Sequence, residues 1–195
     1  MRVLRVVFLL ALIVTVAANV ASASTITYIF TGVVSGVIGG TDFADTNLTL
    51  TAVADTGSVV ENPAGQFRVD PVSATIALSG IGTFTVTGTD YVFDNQTSNK
   101  VGYGVNGLVN CCDIIQVVDS AFGTYDLASA IGPIGNPSNL SVGDWDGVPT
   151  SGGSMTLRSY TQSTFEAVVS TPEPASMLLL GSGLLGLALR RRVQL

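Results

Sequence analysis

Histidine is missing from all 195 residues. Its absence removes the imidazole base that Ser-His-Asp and Cys-His catalysis need, and with it any His-ligated zinc. Cysteine is almost absent: the two present, Cys111 and Cys112, are adjacent. A catalytic redox pair places two residues between its cysteines so that both sulfurs face one helix end. A bridge between neighbours closes a strained small ring and staples nothing distant, so the expectation is a local disulfide or two quiet thiols. Basic residues are scarce as well. Five of the eight lie near the ends, which leaves Arg68, Lys100 and Arg158 for residues 24–170 against thirteen acids. A body of net charge near −10 repels nucleic acid and anionic lipid, and both are excluded as partners. No residue set calls for a cofactor. The body also lacks a sustained helical period and any fixed repeat, which argues against helical and solenoid architectures.

What is present begins at the ends. The N-terminus carries Arg2 and Arg5, an apolar stretch from Val6 to Ala17, and Ala21-Ser22-Ala23. This is the layout of a secretory signal peptide over residues 1–23, with Ala21 and Ala23 filling the small pockets of signal peptidase. The tail reads TPEPASMLLLGSGLLGLALRRRVQL. No residue from Ala175 to Leu189 is charged, and as a helix this stretch would reach about 22 Å against a hydrocarbon core of about 30 Å. Gly181, Gly183 and Gly186 weaken such a helix by about 1 kcal/mol each against alanine. Arg190, Arg191 and Arg192 form a membrane stop that keeps its end cytoplasmic and everything before it outside. A marginal span with a strong stop suits temporary parking in the inner membrane. Two prolines fix φ and remove two amide donors, so Pro172-Glu173-Pro174 is expected to be an extended handle outside the membrane.

In that order, the Pro-Glu-Pro triplet, the short leucine- and glycine-rich helix and the arginine cluster resemble the PEP-CTERM sorting domain. The resemblance covers residues 171–195. It implies an exported protein of a Gram-negative bacterium and a transient partner, the exosortase, a membrane-embedded transpeptidase-like enzyme. By that resemblance Pro172, Glu173 and Pro174 are the recognised motif, and the helix and arginines are discarded. The alternative is an ordinary anchor that is never cut. The resemblance further implies a route that accompanies exopolysaccharide production.

Residues 24–170 alternate with period two. Ile26, Tyr28 and Phe30 share one face, as do Leu48, Leu50 and Ala52; Ala74, Ile76 and Leu78; Phe84 and Val86; Met155 and Leu157; Phe165 and Ala167. Threonine and serine fill most opposite positions. Turns are expected at GVIGGTD, ENPAGQ, SGIGT, GTD and IGPIGNPSN. The pattern predicts short strands in an all-β, antiparallel sandwich or barrel-like domain, flanked by an N-terminal signal helix and a C-terminal hydrophobic helix.

GDWDG holds the sharpest polar cluster. Asp144 and Asp146 echo the start of a calcium loop, but no acid follows at the closing position, and a polar turn around Trp145 is the simpler expectation. Asp42 and Asp45 form a weaker cluster. Three function classes follow. The leading one is a non-enzymatic exported protein of the cell envelope or extracellular matrix, linked to exopolysaccharide or biofilm. The second is a glycan-binding or adhesin module that meets extracellular polysaccharide, with calcium at Asp144 and Asp146. The third, a hydrolase using a carboxylate pair, has only the abundance of acids behind it.

Overall fold

Apolar and small or hydroxyl-bearing residues alternate along TITYIFTGVVSGVI, and a chain of that period lies extended with one face to a core. In the computed structural model, which describes residues 24–106, 113–136 and 147–170, this segment is β1 (Thr25–Ile38). Ile26, Tyr28, Phe30, Val34 and Ile38 are its buried side chains. Gly39 and Gly40 turn the chain with φ of 54° and 86°, the two positive values that a two-residue hairpin loop requires. A Cβ at Gly39 would also lie 2.2 Å from the Gly152 carbonyl oxygen. The chain returns as β2 (Thr41–Asp55), burying Leu48, Leu50, Ala52 and Ala54.

Further strands are β3 (Val60–Glu61), β4 (Gln66–Val69), β5 (Ser73–Leu78), β6 (Gly82–Thr85), β7 (Asp90–Asn95) and β8 (Lys100–Val105). After them come β9 (Asp113–Val118), β10 (Ile131–Asn136), β11 (Val148–Thr150) and β12 (Gly153–Ser170). They form two sheets. One runs β10-β12-β1-β2-β5-β6, with β11 also on β12; the other runs β3-β4-β7-β8-β9. Neighbouring strands in both are antiparallel.

Residues of both sheets enter one apolar cluster. Phe30 on β1 meets Tyr103 on β8 with ring centroids 6.5 Å apart. The connection after β9 adds Phe122 and Tyr125, whose rings stand edge-on to Phe165 of β12 at 5.7 and 5.9 Å. Beside them the Tyr28 hydroxyl donates to the Leu127 carbonyl at 2.7 Å, far from Tyr28 in sequence. Burying a side chain of Phe165's size stabilises the fold by about 1.5–3 kcal/mol.

The described residues are therefore all-β, in two antiparallel sheets. The barrel-like alternative fails, because the strands stay in two separate sheets that do not close on one another. Both flanking helices of the sequence reading lie outside the described residues. Among the described residues no helix is long and apolar enough to cross a membrane.

Three expectations about elements need correction. The strands are not all short: β1, β2 and β12 have 14, 15 and 18 residues. SMTLR and TFEAV belong to one strand, β12, because two register shifts against β1 absorb the irregular RSYTQS between them. IGPIGNPSN does not simply turn; Ile131–Asn136 pairs with β12 as β10, with a shift around Gly132-Pro133.

Candidate functional site

Apart from the weaker Asp42–Asp45 cluster, the site residues singled out from sequence lie outside the described residues: Ala21, Ala23, Cys111, Cys112, Asp144, Asp146, Pro172, Glu173, Pro174, Arg190, Arg191 and Arg192. What the fold defines is the point from which the tail departs. β12 ends at Ser170, whose ladder partner is Thr25, the first residue of β1. The Ser170 hydroxyl donates to the Thr25 carbonyl at 3.3 Å. β12 runs between β1 and β10 in its sheet; its β10 partners stop at Ala167, so its last residues, up to Ser170, are held by β1. Both ends of the described chain thus lie at one end of the β1–β12 ladder.

A second feature is the outward face of the five-stranded sheet. Ladder partners share a face, and the register places Gln66, Asn95 and Lys100 in one row, with Arg68, Phe93 and Gly102 in the next. Arg68 is held from two sides. Its guanidinium lies 4.0 Å from the centre of the Tyr91 ring, and its Nε and Nη2 each approach Asp70 Oδ1 at 3.0 Å. Phe93 lies over Gly102, where a Cβ would come within 2.5 Å of the ring and 2.4 Å of the Ile115 carbonyl oxygen. A cavity of about 250 Å³ opens here, lined among others by Gln66, Arg68, Phe93, Asn95 and Lys100. A neighbouring one of about 520 Å³ shares Asn62 and Arg68 and adds Ser58, Val60 and Asp70. Sequence reasoning missed this face. Its available signal was that two of the body's three cations flank an aromatic pair, Tyr91 and Phe93.

The same sheet turns two carboxyls inward, Asp90 half-buried and Asp94 buried. Tyr103 donates its hydroxyl to Asp90 at 2.5 Å. Burial raises the Asp90 carboxyl above its ordinary value and the Asp70 charge adds to this, against the lowering by that hydrogen bond. The Tyr103 hydroxyl is raised by burial and by Asp90. Asp94 is 1% exposed, and neither of its oxygens has a hydrogen-bond partner. Loss of solvent, and then the charge of Asp126, push it up to about 7. The nearby Tyr125 hydroxyl is likewise buried without a partner, and burial raises it too. Neither carboxyl belongs to a metal site: among the described residues no group of three ligating side chains gathers. In the weaker cluster of the sequence reading, Asp42 accepts from Arg158 at 2.8 Å and Asp45 has a backbone φ of 48°.

Comparison with known families supplies one match. Residues 170–192 match the model of the PEP-CTERM protein-sorting motif. The match starts at the last residue of β12. No curated protein and no solved structure matches the chain. A sorting signal of this kind implies export and membrane-associated processing by an exosortase.

Proposed function

We propose that this is a non-enzymatic protein of the cell envelope or extracellular matrix, delivered there by exosortase processing, with a role in an exopolysaccharide matrix or biofilm. The observation that carries the reading is the sorting motif at residues 170–192, which begins where the last strand ends. The body is read as a two-sheet sandwich that serves as cargo. Exported chains gain from such a body because strand ladders satisfy the backbone internally and leave hydroxyl-rich faces to water. Absence of histidine and the inward placement of Asp90 and Asp94 support a body without catalysis.

The test is replacement of Pro172, Glu173 and Pro174 by alanine in the native host. Alanine is the best helix former, so the extended handle would be lost while the apolar run and arginines stay. The expected outcome is a precursor that is exported and signal-cleaved, yet stays in the inner membrane with its arginine tail attached. A host without its exosortase should give the same result with the unaltered chain, read by intact mass and fractionation. Release of the alanine variant at the parental rate would make the tail a plain anchor.

A further inference from the structure

We propose that the outward face of the five-stranded sheet binds an acidic oligosaccharide, with a sugar ring against Phe93 and its carboxylate at Lys100. The starting point is charge. The body carries three basic residues against thirteen acids, and two of the three fall on this one face. Arg158, on the other sheet, is engaged by Asp42 at 2.8 Å. Arg68 is held by Asp70 and Tyr91. Lys100 alone has no ion-pair partner among the described residues, and it lies in the wall of the 250 Å³ cavity. A cation left unpaired in so acidic a body is the group that an anionic ligand would complete.

The groups around it are those that recognise a sugar. Phe93 is only partly buried and its ring lies over Gly102, whose missing Cβ leaves it room. An aromatic ring in this position offers a face to the apolar C–H side of a pyranose, and a polar ligand is oriented by a few placed groups around such an apolar wall. Asn95 stands beside Lys100 in its own ladder row, with Gln66 one strand beyond it and Val118 on the other side. The Asn95 carbonyl oxygen is occupied by the Ser98 amide at 3.1 Å, which leaves its NH₂ to donate to a ring hydroxyl. Arg68 stands beside Phe93 in the next row and borders the adjoining 520 Å³ cavity, giving room for a second sugar unit. The face has length but little depth, which suits a short sugar chain better than a folded partner. The thirteen acids do not forbid the ligand. At 0.1 M salt the Debye length is about 10 Å, so distant acids are screened while Lys100 acts at contact. Of the acids in the two cavity walls, Asp70 is paired with Arg68 and Asp94 is buried on the inner side of the sheet.

The test uses the full chain in a sugar-free zwitterionic detergent, with trigalacturonate and its neutral methyl ester as probes, read by calorimetry. The expected result is binding of the acid at least about tenfold tighter than the ester, the scale of one hydrogen bond to a charged group. Lys100→Gln should erase that preference. Phe93→Leu should weaken acid and ester alike. Arg158→Gln, the same charge change on the other sheet, should leave both affinities as they were. Equal binding of acid and ester by the parent chain would overturn the proposal, as would no binding of either. So would a loss in Arg158→Gln equal to that in Lys100→Gln, because the attraction would then be diffuse. Capture by phosphatidylglycerol vesicles without binding of the trisaccharide would assign the face to a lipid headgroup instead. Sorting is read by location and this site by affinity on purified protein, so either reading can fail alone.

Discussion

Asp94 is the residue at which this fold holds a liability. Its strand neighbour Val92 and its ladder partner Val101 are fully buried, and its carboxylate receives no hydrogen bond. The neutral form is therefore the one the folded state prefers. Because the folded value, about 7, lies above the ordinary 3.8, the unfolded chain releases its proton first as pH rises. Stability from this group is full below pH 3.8 and is lost progressively up to about pH 7. The whole loss is on the order of 4 kcal/mol. Asp94→Asn should flatten that slope and raise stability near neutrality. Urea titrations at pH 4 and pH 7 check it, and a parent slope kept in the variant would assign the pH dependence to another group.

At the scale of the element, β12 shows how a long strand survives an imperfect pattern. Its buried residues run Met155, Leu157, Tyr160, Ser163, Phe165 and Ala167, stepping by two, three, three, two and two. Each step of three coincides with a register shift against β1. An extra residue at such a bulge lets alternation resume in the correct phase. Gln162, at the second shift, adopts φ 55°, where a side chain costs roughly 1–2 kcal/mol. Gln162→Gly should leave stability unchanged or raise it by about 0.5 kcal/mol after the entropy of glycine is subtracted. Deleting Gln162 should turn Tyr160, Leu157 and Met155 outward and cost several kcal/mol, on the scale of emptying core positions. Thermal melts of both variants decide the matter; a deletion that melts like the parent would mean the bulge does not hold the register.

For the whole molecule, the described core closes without any covalent staple. Tyr28, Phe30, Phe122, Tyr125 and Phe165 gather from both ends of the chain and its middle, so stability is expected to rest on burial. Cys111→Ser with Cys112→Ser should then change stability by less than about 1 kcal/mol, since a bridge between neighbours constrains almost none of the unfolded chain. Denaturant midpoints under oxidising and reducing conditions measure it. A drop of several kcal/mol would assign the pair a structural task beyond its own loop.

The sequence by itself determined the sorting signal and the all-β class of the body, because each is written in neighbouring residues. Composition and order are enough for a Pro-Glu-Pro triplet followed by an apolar run, and period two is enough for Ile26-Tyr28-Phe30 or Ala74-Ile76-Leu78, all of them buried. The pattern failed where partners decide. In β7 the aromatic residues Tyr91 and Phe93 face outward while Asp90 and Asp94 face inward, the reverse of what polarity alone suggests. Tyr91 lies under Arg68 and Phe93 lies over Gly102, and no local rule specifies either contact. Only the tertiary structure brought Arg68, Phe93 and Lys100 onto one face. Their proximity comes from the ladder register of β4, β7 and β8, and register is a relation between strands that no single stretch of sequence contains.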